Sequence, residues 1–191
     1  MAEQIEYYTE ARWNNWVKRA RESGFSLADP KNAPDATIFV NMEEDVVLAC
    51  LKIVNKFEKG KLSAEEALGA IKYMEKITLA RLEPISEDVD MMIQSIQSSL
   101  VAVFGSCQCY IEGKYEPGTI DDLIERAAEA EKRGDEATAL GLISQVGAKI
   151  VAGQPFEFNK ELSPGCLAEW IDGLDSISAA MVGNDSYKDD G

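Results

Sequence analysis

Histidine is absent from all 191 residues of this chain. Its absence excludes Ser-His-Asp and Cys-His catalysis, HExxH zinc sites and the ExxH motif of di-iron bundles. It also removes the usual proton acceptor near neutral pH. An enzyme built on this sequence would have to work with carboxylates, lysine or cysteine. Basic residues are scarce as well: Lys plus Arg number 19 against 34 Asp plus Glu, a net charge of −15. A chain so acidic does not suit a phosphate backbone or an anionic membrane surface, and its expected partners are basic or neutral. Neither GxGxxG nor GxxxxGK[ST] occurs, so no phosphate-cradling loop is expected. The opening MAEQIEYYTEAR lacks the basic start and apolar run of a secretory leader. The expected location is therefore the cytoplasm, with Cys50, Cys107, Cys109 and Cys166 reduced and packed.

Hydrophobic residues make up 46% of the chain, enough for a sizeable core in one domain. The organising stretch is 86–113, SEDVDMMIQSIQSSLVAVFGSCQCYIEG, which carries no charge between Asp90 and Glu112. At helical period it sorts into three stripes. Val89, Met92, Ile93, Ile96, Leu100, Val103, Cys107 and Ile111 form a bulky face. Ser95, Ser98, Ser99, Ala102, Ser106 and Cys109 form a face of small side chains. Gln94, Gln97 and Gln108 lie between them. A helix apolar on one side and small on another has neighbours on both, so a central core helix near 87–112 is expected. The run is long enough to suggest a membrane span, but seven of its residues are Gln or Ser and no positive flank accompanies it. Cys107 and Cys109 point apart on a helix, which excludes a shared metal ion and a disulfide between them.

The remaining elements follow from caps and periodicity. The stretch from Ile5 to Gly24 reads as an amphipathic helix with Thr9 as a plausible N-cap and Trp13, Trp16, Val17 and Ala20 on one face. A loop is expected over 26–41, with Ile38-Phe39-Val40 either closing it or starting the next helix. Asn41 and Glu44 have capping-box spacing, and Val46, Val47, Cys50, Ile53, Val54 and Phe57 then trace a core face. Ser63 and Glu66 repeat the capping signature, and the short link before them predicts an antiparallel hairpin. The helix-loop-helix here lacks the ligand order of a calcium loop. Thr119 caps a fifth helix, and 134–135 turn into a sixth. Phe156 and Phe158 alternate in a linker. Ser163 followed by Pro164 predicts the start of the last helix, with Leu167, Trp170, Ile171, Leu174, Ile177 and Met181 along one face. The reading is all-α: a single helical domain over 1–182, an irregular antiparallel bundle of six to seven helices, and a flexible polar tail over 183–191.

Several runs carry a resemblance. YYTEARWNNWVKRARESG, MEEDVVLACLKIVNKFEKGKLSAEEAL, IQSSLVAVFGSCQCYIEG, ALGLISQVGAKIVAG and AEWIDGLDSISAAM are together similar to archaeal domain-of-unknown-function family 2150. The similarity runs from Tyr7 to Met181. It implies a small, acidic, helical archaeal protein of the cytosol, and it supplies no catalytic residues.

The function expected on these grounds is a non-enzymatic interaction or regulatory factor that docks on a larger complex. No catalytic residue, metal or cofactor is assigned, and neither nucleic acid nor membrane is an expected partner. The candidate partner-binding residues are Trp13 and Trp16 on the first helix, Glu169 and Trp170 on the last, and the glutamine edge of Gln94, Gln97 and Gln108. Aromatic anchors dominate interfaces, and an uncharged polar stripe is unusual for a solvated helix. A homodimer through the tryptophan face is a further possibility. The alternative function is a helical small-ligand-binding protein or enzyme with a pocket beside the central helix.

Overall fold

Seven α-helices account for the regular structure among the described residues of the computed structural model, which are 7–28, 33–183 and 187–188. They are α1 (Glu10–Glu22), α2 (Ala33–Glu58), α3 (Ala64–Thr78), α4 (Glu87–Glu112), α5 (Ile120–Lys132), α6 (Glu136–Val151) and α7 (Cys166–Gly183). The expected start of the first helix at Ile5 lies outside the described residues.

The caps do what their residue types predict. Thr9, Ser86, Thr119 and Asp135 each accept the backbone N–H three residues on, and Ser63 with Glu66 completes a reciprocal capping box. Gly113 closes α4 in the left-handed conformation, φ 65°. Two starts differ from expectation. α2 begins at Ala33 and not after Asn41, because Pro34 is tolerated in a first turn, where its missing N–H has no partner anyway. The extra turns bury Phe39 and Met42, and Phe39 meets Phe25 edge-on at 5.0 Å. α7 begins at Cys166 and not at Pro164. Its orphan Leu167 N–H is satisfied by the Glu131 carboxylate of α5, 2.8 Å away.

α4 is central, as its stripes predict: it packs on α2, α3, α6 and α7. Sequential neighbours alternate in direction, so α2 and α4 run the same way. Glu43 meets Ser99 near the middle of the two helices and Glu58 meets Tyr110 near their C-terminal ends. The bulky face is buried, with Leu100, Val103 and Cys107 inaccessible to solvent. The small face admits α6 and α7 at close range. A Cβ on Gly147 of α6 would collide with the Ser106 side chain, and one on Gly173 of α7 would collide with the Ser99 carbonyl. One on Gly105 of α4 would collide with Ser144 of α6. Cys107 lies against Cys50 of α2, while the Cys109 thiol donates to the Lys114 carbonyl at 3.1 Å. The two sulfurs of the C-x-C sequence therefore serve separate packing contacts, and burial raises the Cys109 thiol to about 11.

Of the tail expected to be flexible over 183–191, Tyr187 and Lys188 are described beyond α7. Tyr187 is buried, and its carbonyl accepts from Asn55 Nδ2 at 3.2 Å, while the Lys188 carbonyl accepts from Lys59 Nζ at 3.0 Å, so these two residues lie against the C-terminal part of α2. Positions 184–186 and 189–191 lie outside the described residues. The Phe156–Phe158 linker forms no strand; Phe156 is buried as a single anchor.

The interlock between α4 and α7 gives opposite expectations for two glycines. Gly173→Ala forces a methyl against backbone and should destabilise the fold by about 1–3 kcal/mol. Gly141→Ala, on the exposed side of α6 with nothing near its would-be Cβ, should stabilise by up to about 1 kcal/mol through helix propensity. Urea unfolding of the two variants checks both signs.

Candidate functional site

The residues singled out by sequence fall in four places. Trp13 and Trp170 are core: they are 1% and 5% exposed. That corrects the expectation that their indoles form docking patches. Periodicity identifies the face they share with Val17 or Leu174, and α1 and α7 press that face inward. Trp16 is half-buried and works as a fastener. Its Nε1 donates to Asp45 Oδ2 at 2.7 Å, and Asp45 also accepts Arg12 Nε and Nη2 at 2.9 and 2.5 Å. The Arg19 guanidinium covers the Trp16 ring at 4.4 Å. One carboxylate thus ties α1 to α2 through three donors. Glu169 lies half-buried in the first turn of α7.

Two members of the glutamine edge are engaged by α3. Gln97 Nε2 donates to the Thr78 and Ala80 carbonyls at 2.8 and 3.1 Å, so it caps the C-terminal end of α3. Gln108 Nε2 donates to Glu75 Oε2 at 2.9 Å. Both amides act as donors here, a role that a Glu at either position could not fill. Gln94 is exposed and, with Gln97, Arg81, Asp90 and Pro84, borders a cleft of about 360 Å³.

The feature that brings chemistry together lies elsewhere, where α2, α4 and α7 meet. A groove of about 500 Å³ between α2 and α7 is lined by Val40, Glu43, Glu44, Ser176, Ala179, Ala180 and Gly183. A second of about 130 Å³, towards α4, is lined by Phe39, Val40, Glu43, Met92, Ser95, Ile96, Ser99 and Asp172. The two share Val40 and Glu43, so Glu43 stands at their junction. Its Oε1 accepts the Ser99 hydroxyl of α4 and, at 3.1 Å, the Ser176 hydroxyl of α7. Neither serine donates to Oε2. Burial raises the Glu43 carboxyl above its ordinary range; the two serine hydrogen bonds oppose the rise, and Asp172 adds to it. Asp172 and Asp175 are raised too, first by burial and then by Glu169 and Asp172 respectively.

Sequence reasoning placed Glu43 one position before a capping residue in an acidic first turn. With α2 starting at Ala33, it lies well inside the helix and turns towards α4 and α7. The one signal available was the small-residue run Ser95-Ser98-Ser99, whose hydroxyls a buried carboxylate needs. Among the described residues no group of three or more His, Cys, Asp or Glu is placed to hold a metal ion, and no helix is long and apolar enough to cross a membrane.

Residues 6–190 match the model of a family described as an uncharacterized protein conserved in archaea, DUF2150. The chain belongs to this family. No curated protein and no solved structure matches it. Membership thus agrees with the resemblance carried by the sequence runs, and it assigns no residue a role. Within this DUF2150 chain, the Glu43 junction is the one place among the described residues where a half-buried carboxylate, two hydroxyls from other helices and two apolar grooves coincide.

The sign of the Glu43 shift fixes a pH dependence. A carboxyl whose pKa is raised by folding binds its proton more tightly in the folded state. Its contribution is full below the ordinary value of 4.5 and is lost as pH rises through the folded value. Wild type should therefore gain stability relative to Glu43→Gln as pH falls from neutrality towards about 4.5. Asp172 and Asp175 remain in both proteins, so the difference reports Glu43. Urea midpoints of both proteins across that range measure it, and parallel curves would contradict the shift.

Proposed function

We propose that this archaeal protein is a cytoplasmic, non-enzymatic interaction factor that docks a partner protein in the groove between α2 and α7. The observation that supports it most is Val40. It is 63% exposed although it stands at the meeting of two grooves whose walls are largely apolar. A large apolar side chain so placed suits the centre of a protein contact. The α7 wall is low, made of Ser176, Ala179, Ala180 and Gly183, and leaves room for side chains from outside. A cytoplasmic setting fits four cysteines that form no disulfide.

The reading of a small-ligand protein or enzyme has less support. The groove collects carboxylates and hydroxyls but no cation to hold an anionic substrate, and both hydroxyls are spent on one oxygen of Glu43.

The test is recovery of a stoichiometric protein partner from extract of the source archaeon, with Val40→Asp as the discriminating variant. Val40 is exposed, so the variant should melt like wild type and lose the partner. Hydrogen exchange in the recovered complex should be slowed over the first half of α2 and the second half of α7. Undiminished recovery with Val40→Asp would count against this groove.

A further inference from the structure

The groove has an electrostatic character that its apolar lining conceals. α4 carries no Lys or Arg from Glu87 to Glu112, and α7 carries none from Cys166 to Gly183. α2 carries none before Lys52. The acids on these segments include Glu43 and Glu44 in the groove wall, Asp172 in the adjoining groove, and Asp175 and Glu169 on α7. Asp45 is the exception that sets the rule, since it is neutralised by Arg12 from α1. Among the described residues nothing of that kind reaches Glu43: its donors there are two neutral hydroxyls, both on Oε1. A carboxylate offers about four lone-pair positions, so Oε2 remains able to accept. A half-buried carboxylate beside Asp172, with its charge uncompensated by any described residue, is held at a cost that a cation would relieve.

We infer that the occupant of the α2–α7 groove is a cationic amphipathic segment of the partner protein, with an apolar side chain on Val40 and a lysine or arginine at Glu43. This rests on the reading of the groove as a docking face. With Oε1 occupied, Glu43 accepts N–H donors through Oε2, and Asp172, in the lining of the adjoining groove, offers a second carboxylate to a guanidinium. The apolar contacts supply area and the carboxylates supply selection, since an acidic partner would meet unrelieved like charge. A second copy of this chain is a poor occupant for the same reason: a self-complementary contact would set Glu43, Glu44 and Asp172 against their own equivalents.

The experiment uses the full chain and three synthetic helical peptides followed by fluorescence anisotropy. One peptide has a leucine face flanked by Lys and Arg, the second has the same face flanked by Glu, and the third has the first peptide's composition scrambled so that no apolar face forms. The cationic amphipath should bind, and binding should weaken as salt rises. The acidic amphipath should not bind, and the scrambled cation should bind at least about tenfold more weakly. Val40→Asp should abolish docking of the first peptide. Glu43→Gln and Asp172→Asn, each checked by thermal melting, should each weaken it about tenfold while leaving its dependence on Val40 intact. Equal binding of the acidic amphipath would overturn the cation preference while leaving the docking face standing. Equal binding of the scrambled peptide would reduce the effect to net charge and overturn the inference. A chain that is dimeric in solution and becomes monomeric on Val40→Asp would overturn it in favour of a second copy. Failure of the cationic amphipath to bind would overturn it outright, whatever the Val40→Asp recovery experiment shows.

Discussion

The close approach of α4 to α6 and α7 governs the rest of this molecule. Three contacts define it: Gly147 on Ser106, Gly173 on the Ser99 carbonyl, and Gly105 on Ser144. Each replaces a side chain with hydrogen, so the facing groups come nearer than a Cβ would allow. Near backbones bring many atoms to optimal separation at once, and dispersion sums over all of them. The serines on these faces do not go unsatisfied. Ser106 and Ser144 donate to the carbonyl four residues back, at 2.6 and 2.8 Å. A polar residue can then lie at a dry interface without stranding a donor.

That approach also determines where the carboxylate of Glu43 can go. With α7 seated on Ser99 through Gly173, Ser176 one turn further along α7 reaches the same oxygen that Ser99 reaches from α4. Widening the α4–α7 contact by the radius of a methyl group would separate the two hydroxyls and leave Glu43 half-buried with fewer donors. The stabilising interlock and the candidate site therefore share residues. Neutral hydroxyls lower the energy of the charged form without cancelling its charge, which is why burial still prevails in raising the carboxyl.

The helices were legible in the sequence to the extent that their signals are local. The three stripes of 86–113 predict a central helix with partners on two sides, and the side-chain caps at Thr9, Ser63, Ser86, Thr119 and Asp135 are visible in a few residues each. What was not legible depends on distant neighbours. Periodicity puts Trp13 and Trp170 on an apolar face but not whether another helix covers it, and here one does. The glutamine edge looked like a surface because α3 ends where Gln97 begins to reach it, a fact of tertiary placement. Glu43 was hidden more deeply. Asn41 and Glu44 imitate a capping box, and a cap there assigns every nearby acid to the helix dipole. Only the continuation of α2 back through Pro34 moves Glu43 into the interior, and its two partners come 56 and 133 residues later in the chain.

Charge in this chain is segregated as well as unbalanced. Its lysines and arginines concentrate on α1, the second half of α2, α3 and the α5–α6 hairpin, while α4, α7 and the first half of α2 have none. Asp45, on the first part of α2, is supplied with a cation from α1, Arg12. Self-repulsion among like charges opposes compactness, and a single lysine on α7 would relieve it at little cost to a helix whose outer face is open. Acids occur on every helix, but the two grooves that meet at Val40 are lined by Glu43, Glu44 and Asp172 and by no lysine or arginine. Acids that serve only solubility need no apolar neighbour, whereas these border the exposed Val40. Their coincidence is the property that a complementary, positively charged surface would complete.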